Sequence, residues 1–395
     1  MTSDESDGIY FDHHATTPVD DRVVDAMAPV FTEDYGNPAS NNNHRAGDTA
    51  KRHVKQAREQ LVSTFNANRI EEIIFTSGAT ESNNLALKGV MRYAREQGYG
   101  NHLITGATEH DAVIDTAAAL EDEDFEVTIL PVDKYGRIDS DDVRDTIRDE
   151  TVLVSLMAAN NEVGTITPIA EIGHITSEAD VLFHTDAVQA VGYLDIDVEE
   201  MEIDLMSISG HKIYGPKGVG GLYVRYGATH IHPLVHGGGH ERGWRSGTLN
   251  VPGIVGLAKA VELADENRES RTAHVEQLRD RFWEQLDECL DNIAVNGHPD
   301  RRLPNNLNVS FLGVDNQRLV GRLSDSGLYA ATGSACSTME TTESHVLTAM
   351  LEDDERIQSS IRFGLGKDNT TQEVDEAVEI VTENVDRLRK FNSMT

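Results

Sequence analysis

Residues 205–212 read LMSISGHK, an apolar run that ends in a turn of small and basic residues. Similar apolar runs recur between residues 72 and 225, and most of them end in a polar turn before a helical pattern. This alternation predicts strands joined by crossover helices, and therefore an α/β fold with a mostly parallel seven-stranded sheet. The predicted strands are 73–75, 102–105, 127–130, 152–157, 181–184, 205–208 and 221–225. Because ligands bind outside the carboxyl ends of such strands, the turns that follow them are the expected place for chemistry.

The charge of the chain excludes one large class of partners. There are 68 Asp and Glu residues against 34 Lys and Arg, which gives a formal net charge of −34. Nucleic-acid binders normally carry a basic patch, so we expect no direct nucleic-acid contact. Solvated acidic surface of this kind is typical of halophilic cytosolic proteins, in which salt screens the self-repulsion. An acidic partner-binding surface is the alternative interpretation.

The length of the chain and the order of its patterns predict two domains. The lack of a long apolar run and of a secretory signal predicts a cytoplasmic protein. No run of about 18 apolar residues is present, and residues 1–8 lack the basic and apolar regions of a secretory signal. A chain of 395 residues is longer than one typical core. The alternating pattern gives way near residue 265 to a long amphipathic helix. We therefore expect a large cofactor-binding domain over residues 20–265 and a smaller α/β domain formed by residues 1–19 and 266–395.

The two cysteines of the chain occur in different contexts. Cys289 continues an apolar series at helical spacing, which predicts a buried core residue. Cys336 lies within GSACST, residues 333–338, where small and polar neighbours predict an accessible thiol. Two cysteines cannot form a disulfide framework or a four-cysteine metal site within one chain.

Two turns carry residues suited to a carbonyl cofactor. Lys212 ends the turn after strand 205–208 and could form an imine if its surroundings lower the pKa of its amine. Asp186 follows strand 181–184 and could pair with a pyridinium nitrogen, which lets the ring act as an electron sink. Gln189, one turn further on, could reach a phenolic oxygen. The alternatives are a surface turn for Lys212 and a helix cap for Asp186.

Three further segments carry residues that could bind a ligand. Residues 75–82, FTSGATES, pass from a strand through glycine into a helix, whose free amides suit a phosphate, although ordinary capping is a fair alternative. His110 follows strand 102–105 and could lie on a cofactor ring and shuttle protons, or could be an exposed bystander. His236 and His240 lack the third and fourth ligands of a metal site, so no metal is expected. The glycines between them indicate a close backbone approach.

Together these segments resemble the cysteine desulfurases of the NifS and IscS type. The resemblance extends from about residue 9 to the carboxyl terminus. It is carried by residues 10–18, 36–38, 76–82, 108–110, 160–164, 184–189, 209–212, 237–248, 333–336 and 359–363.

The resemblance implies a homodimer of the pyridoxal-phosphate-dependent fold type I, with pyridoxal 5'-phosphate carried by Lys212. It places Asp186 on the pyridine nitrogen and His110 on the ring. It also implies that Asn161 positions ring and substrate, and that Arg362 binds the substrate carboxylate through a two-pronged hydrogen bond. The residues implied at the phosphate are Thr80, Ser209 and His211, joined by Thr248 of the other subunit, and Ala79 is a further expected cofactor-binding residue.

The implied reaction removes sulfur from L-cysteine, leaves L-alanine and holds the sulfur as a persulfide on Cys336. His110 is the candidate for proton transfers around the two thiols. The sulfur would pass to an iron-sulfur scaffold or another acceptor protein, for cluster assembly and for tRNA thiolation.

Two alternatives remain open at this point. The first keeps the cofactor but makes the protein a selenocysteine lyase or another aminotransferase-type enzyme. The second is a non-catalytic scaffold for assembly proteins, which predicts missing cofactor residues, whereas none is missing.

Overall fold

A computed structural model describes residues 8–333 and 343–392. The strands are β1 (Ile9–Tyr10), β2 (Ile73–Thr76), β3 (His102–Gly106), β4 (Glu126–Leu130), β5 (Thr151–Ser155), β6 (Leu182–Asp186), β7 (Leu205–Ser209), β8 (Gly220–Val224), β9 (Ile293–Asn296), β10 (Asn306–Phe311), β11 (Leu328–Tyr329) and β12 (Ser360–Gly364). The helices are α1 (Asp21–Thr32), α2 (Arg45–Thr64), α3 (Ala79–Gln97), α4 (Asp111–Glu121), α5 (Ser140–Thr146), α6 (Ile169–Glu178), α7 (Val251–Glu266), α8 (Arg268–Cys289), α9 (Asn316–Asp325), α10 (His345–Met350), α11 (Asp354–Gln358) and α12 (Thr371–Asn392).

The larger sheet has seven strands in the order β2-β8-β7-β6-β5-β3-β4. The pairs between β7, β6, β5, β3 and β4 are parallel, whereas β8 runs antiparallel to both β7 and β2. The short connection from β7 to β8 explains this reversal, because a parallel pair needs a longer crossover. The predicted mostly parallel seven-stranded sheet is thus confirmed, and each predicted strand lies within a residue or two of an observed one.

Both faces of this sheet are buried except at the edge strand β4, where Glu126 and Ile129 are exposed. Alternate residues of β2 enter different hydrophobic clusters, with Ile73 and Phe75 on one face and Ile74 on the other. Helix α3 covers the second face, and α7 packs with α1 and α2 over the first cluster. Strands buried on both faces read as continuous apolar runs, which is why the sequence predicted them well.

A smaller antiparallel sheet, β12-β10-β9, carries its own hydrophobic cluster beneath α8, α9 and α12. Phe282 packs edge-on against Phe11 and Phe363, with ring centroids 5.5 and 5.0 Å apart. Ile9 and Phe11 belong to this cluster, although the domain boundaries themselves stay a prediction. Helix α12 begins with the expected cap, since Glu373 N–H donates to Thr370 Oγ1 and Thr370 N–H to Glu373 Oε2.

The prediction for Cys289 was wrong. It is the last residue of α8 and is exposed to solvent. The buried series of the helix passes from Leu286 to Leu290, four residues on, rather than to Cys289. Among the residues that the structure describes, no helix is long and apolar enough to cross a membrane.

Candidate active site

A cavity of about 540 Å³ opens at the carboxyl ends of the parallel strands, where the turns after β2, β3, β5, β6 and β7 meet. It also reaches β12 of the smaller sheet. The predicted site residues in its lining are Ala79, Thr80, His110, Asn161, Asp186, Gln189, Ser209, His211, Lys212 and Arg362. Thr248 is exposed and does not line this cavity, and Cys336 lies outside the described residues.

Lys212 reaches the cavity from a fixed turn. Residues 210–212 form one turn of 3₁₀ helix directly after β7, and Gly210 is bonded through its N–H to Val219 and through its carbonyl to Gly215. The Lys212 amine donates to the main-chain carbonyls of His14 and Ala15, the second at 3.0 Å. These contacts hold the amine at the floor of the cavity, beside the segment that leads into α1.

Asp186 presents a fixed carboxylate at the end of β6. Its Oδ2 accepts a hydrogen bond from Asn83 Nδ2 at 2.6 Å, and its Oδ1 accepts from the Val188 N–H at 3.0 Å. Asn83 lies on α3, one helical turn after Thr80, and is fully buried. Asn83 was not among the residues predicted from the sequence, although its position on the same helix face as Thr80 was an available signal.

The turn between β2 and α3 forms the cradle expected for a phosphate. Gly78 has φ = +152°, a conformation that favours glycine, and a β-carbon added there would meet open space. Strand β8 packs closely against this turn: a β-carbon added to Gly220 would lie 2.7 Å from Gly78 Cα. The first amides of α3 lack intrahelical acceptors and carry the positive end of the helix dipole.

His211 and His110 are both held in defined orientations. His211 Nδ1 lies 3.2 Å from Thr16 Oγ1, and burial lowers the pKa of His211 to about 4, helped by the positive charges of Lys212 and Lys217. His110 caps α4, and its Nδ1 accepts from the Ala112 N–H at 3.0 Å. A neutral His110 ring therefore carries its proton on Nε2.

Arg362 is the largest fully buried side chain among the described residues and lies in β12. Its Nη2 donates to Asp12 Oδ1 at 2.9 Å, and its Nη1 donates to the Asn161 carbonyl at 3.2 Å. Its buried Nε has no hydrogen-bond partner among the described residues. Arg362 also lines the cavity, where a guanidinium can bind a carboxylate.

His14 was also missed by the sequence analysis. Its Nδ1 bonds Gln189 Oε1 at 2.9 Å, and its carbonyl accepts from Gln189 Nε2 at 3.1 Å. Burial lowers the pKa of His14 to about 3, so the ring stays neutral. Gln189 therefore holds His14 as well as lining the cavity, and the sequence gives no local sign of a contact across 175 positions.

The segment that carries Thr248 is attached to the sheet beside the cavity. Glu241 Oε2 accepts from the Phe75 N–H at 2.7 Å, and its Oε1 pairs with Arg58 at 2.5 Å. Arg245 pairs with Glu81 at 2.8 Å. In the described part of the chain, no group of three or more His, Cys, Asp or Glu residues could hold a metal ion, His236 and His240 included.

These residues fit a pyridoxal phosphate. The cavity brings together a helix terminus with free amides, an amine on a fixed turn and a strand-end carboxylate. Asn83 Oδ1 and His14 Nε2 are buried polar atoms with no partner among the described residues. The fold and the cavity thus define an α/β enzyme of the pyridoxal-phosphate fold type I.

The comparisons with known proteins agree with this class. The aminotransferase class-V profile matches residues 9–377. The chain is 48% identical to the cysteine desulfurase IscS of Methanosarcina thermophila over 100% of this chain and 96% of that protein. The corresponding protein of Anaeromyxobacter dehalogenans is 49% identical, over 98% and 94% of the two chains. The chain therefore belongs to the aminotransferase class-V family, within which its relatives are pyridoxal-phosphate-dependent cysteine desulfurases.

Solved structures give the same result. A NifS-like protein superposes with a TM-score of 0.88 at 40% identity, covering 95% of this chain and 98% of that one. A structure described as SspA in complex with cysteine gives a TM-score of 0.80 at 38% identity, covering 92% and 100%. The resemblance found in the sequence is confirmed.

Glu109 gives the site a pH-dependent stability. Burial raises the pKa of its carboxyl well above the usual range, and the negative charge of Asp186 raises it further, whereas the bond from the Met157 N–H lowers it in part. A raised carboxyl pKa means that the folded state binds the proton more tightly than the unfolded chain. The free-energy cost that an ionised Glu109 imposes on the folded state is therefore absent below the ordinary carboxyl pKa. This cost destabilises the fold as the pH rises through the pKa of Glu109 in the folded protein.

We expect Glu109→Gln, which cannot ionise, to gain thermal stability over the wild type as the pH rises. Measurement of Tm from acid to alkaline pH checks this. The matched variant Glu59→Gln, on the exposed face of α2, should leave the pH dependence unchanged. A Glu109→Gln variant with a constant offset from the wild type at every pH would contradict the assignment.

Proposed function

We propose that this pyridoxal-phosphate-dependent cysteine desulfurase passes sulfur from L-cysteine to Cys336 and releases L-alanine. The observation that carries the proposal is the meeting of Lys212, Asp186 and Arg362 in one cavity, although they come from two sheets. An amine, a carboxylate and a guanidinium in one site match the three groups that handle an amino acid on this cofactor.

When bound, pyridoxal phosphate supplies an electron sink for negative charge at the substrate Cα. The residues that would hold its phosphate are Ala79, Thr80, Ser209 and His211. Asp186, fixed by Asn83 and the Val188 amide, would keep a proton on the ring nitrogen. Gln189 and Asn161 would bind the ring, with His110 beside it.

Arg362 would bind and orient the substrate carboxylate. The amine of Lys212 takes the proton from the substrate Cα. The Cys336 thiolate then attacks the substrate sulfur, forming an S–S bond while the C–S bond breaks. The electron pair of the C–S bond goes to Cβ, which takes up a proton. The ammonium group of Lys212 returns a proton to Cα, and L-alanine leaves. His110, whose Nε2 carries the ring proton, exchanges protons with the thiol groups.

A homodimer is part of the proposal. Phe31 and Tyr35, at the end of α1 and just after it, are 59% and 75% exposed, so contact with a second subunit at this place would bury apolar surface. Thr248 lies outside the cavity of its own chain and is free to enter the site of a second subunit. The shared site would make an isolated subunit inactive.

The remaining assignments follow from the relatives and the charge. We propose that the sulfur acceptor is an iron-sulfur scaffold or a similar protein, with tRNA thiolation as a further use. The acidic surface suits a cytoplasm of high salt concentration. The division into residues 20–265 and residues 1–19 with 266–395 is supported by the separate hydrophobic clusters of the two sheets.

The test of the proposed function is the substitution Cys336→Ala. Sulfide release from L-cysteine should fall to background, because the thiol that accepts the substrate sulfur is removed, while the visible absorbance of the bound cofactor should be unchanged. The matched variant is Cys289→Ala, which removes the other cysteine of the chain and should keep wild-type activity. Sulfide release that survives in Cys336→Ala would rule out the persulfide route.

A further inference from the structure

We propose that Glu162 is a positioning residue for the transfer of sulfur to Cys336, because its carboxyl group contacts the chain on both sides of the segment that carries this cysteine. The inference rests on the proposed function, in which Cys336 is the sulfur acceptor. The Glu162 side chain is buried in the protein, whereas its neighbour in the sequence, Asn161, lines the cavity. Desolvation of a buried carboxyl group costs free energy, so hydrogen-bond partners are expected for it.

The turn that carries Glu162 is fixed through its main chain. Asn160 Oδ1 accepts from the N–H groups of Glu162 and Val163 at 2.8 and 2.9 Å. The Glu162 carbonyl accepts from the side-chain amides of Asn306 and Asn308, at 3.2 and 3.1 Å. Hydrogen bonds within the turn and to β10 of the smaller sheet therefore fix its main chain, and with it the position of the Glu162 side chain.

The first contact of this carboxyl group lies after the cysteine segment. Ser344 Oγ donates to Glu162 Oε2 at 2.5 Å, and the same Oγ accepts from the Leu347 N–H as the amino-terminal cap of α10. The next residue, His345, donates through Nε2 to the Glu109 carbonyl at 2.9 Å. The start of α10 is thus attached to two of the turns that line the cavity.

The second contact lies before the cysteine segment. Gly333 passes so close to Glu162 that a β-carbon added there would lie 1.9 Å from Oε2. The chain arrives at Gly333 from Ala331, which exchanges two main-chain hydrogen bonds with Arg362. One carboxyl oxygen therefore meets the chain at residue 333 and at residue 344, between which Cys336 stands in the sequence.

The surroundings of the Glu162 carboxyl group favour a role in binding the neighbouring chain rather than in the reaction itself. Burial raises the pKa of Glu162, while the Ser344 bond and the positive charge of Arg362 lower it in part. Glu162 is not in the lining of the cavity, so it is not placed to touch substrate or cofactor. Its effect on the reaction would come through the placement of Cys336, and a misplacement of about 1 Å can cost about 10²-fold in rate.

The experiment compares Glu162→Ala with Glu162→Gln in single-turnover reactions at saturating L-cysteine. The persulfide on Cys336 is trapped by alkylation and measured by mass spectrometry, and cysteine affinity is measured from the change in cofactor absorbance. We expect Glu162→Ala to form persulfide about 10²-fold more slowly with unchanged cysteine affinity. Glu162→Gln should restore most of the rate, because its amide oxygen can still accept from Ser344.

If Glu162→Ala does not fold, the rate of persulfide formation is measured in Ser344→Ala instead. It removes the same hydrogen bond from the other side, and Ser344→Thr, which keeps the hydroxyl, should restore the rate. Asp315→Ala is the matched control, because it removes the equivalent amino-terminal cap from α9 and should leave persulfide formation unchanged.

Three results would overturn the inference. They are a wild-type persulfide rate in Glu162→Ala, a parallel loss of cysteine affinity and rate, and a Glu162→Gln variant as slow as Glu162→Ala. Cys336→Ala, measured alongside, separates this inference from the proposed function. If that variant still releases sulfide, the proposed function fails; if it does not and Glu162→Ala keeps the wild-type rate, only the role of Glu162 fails.

Discussion

Substitution of Lys212 by alanine is expected to lower sulfide release by about 10³-fold or more. The variant loses both the amine that holds the cofactor and the base that takes the substrate Cα proton, and general-base catalysis alone contributes about 10² to 10⁴-fold. Borohydride reduction, which fixes an imine, should leave no cofactor attached to the protein. Steady-state sulfide release and mass spectrometry of the reduced protein measure the two effects.

Two variants control for charge and folding. Lys212→Arg keeps a cation that can donate to the carbonyls of His14 and Ala15, yet it should be as inactive as Lys212→Ala, because a guanidinium does not form the imine. Lys55→Ala, on the exposed face of α2, should behave as the wild type. Cofactor still attached to Lys212→Ala after reduction would show that another amine holds it.

Substitution of Arg362 by lysine is expected to lower kcat/KM for L-cysteine by about 10² to 10³-fold. The loss of one partner from a buried charged hydrogen bond costs roughly 2 to 5 kcal/mol, and lysine cannot offer two parallel donors to a carboxylate. Lysine keeps a positive charge beside Asp12, so the fold and the cofactor absorbance should be retained.

The change in Arg362→Lys should fall mainly on KM, because the guanidinium binds substrate before and during the reaction. A matched exposed pair is available in Arg281 and Asp375, and Arg281→Lys should leave both constants unchanged. An Arg362→Lys variant with the wild-type KM would show that another group binds the substrate carboxylate.

The sequence predicted the part of this site that depends on strand order. Asp186 and Lys212 follow two apolar runs, and the ends of neighbouring parallel strands must meet at one edge of the sheet. The glycine turn before α3 was recognised for a similar reason, since a helix that starts at the end of a strand places its free amides there. Local pattern and fold geometry were sufficient for these three features.

The residues that the sequence analysis missed depend on contacts between distant segments. His14 meets Gln189 across 175 positions, and Glu162 meets Ser344 across 182. Nothing in the neighbouring residues of either partner signals such a pair. Strand β9 was also missed, because residues 293–296 are too short and too half-buried to show a period.

The error for Cys289 has a different cause. The apolar spacing that placed it in the core was real as far as Leu286, but the helix ends at Cys289 and the chain continues in an extended conformation at Leu290. Periodicity predicts which face is buried only while the helix continues, and helix ends are the least certain part of such a prediction.

Locating the sulfur after a single turnover tests the persulfide route on Cys336 directly. The wild-type protein, loaded with pyridoxal phosphate, is mixed with L-cysteine without an acceptor thiol, alkylated, digested and examined by mass spectrometry, while the released amino acid is identified. The proposed reaction predicts one added sulfur atom on the peptide that contains Cys336, together with an equal amount of L-alanine. Sulfur on the Cys289 peptide, or pyruvate in place of alanine, would contradict it.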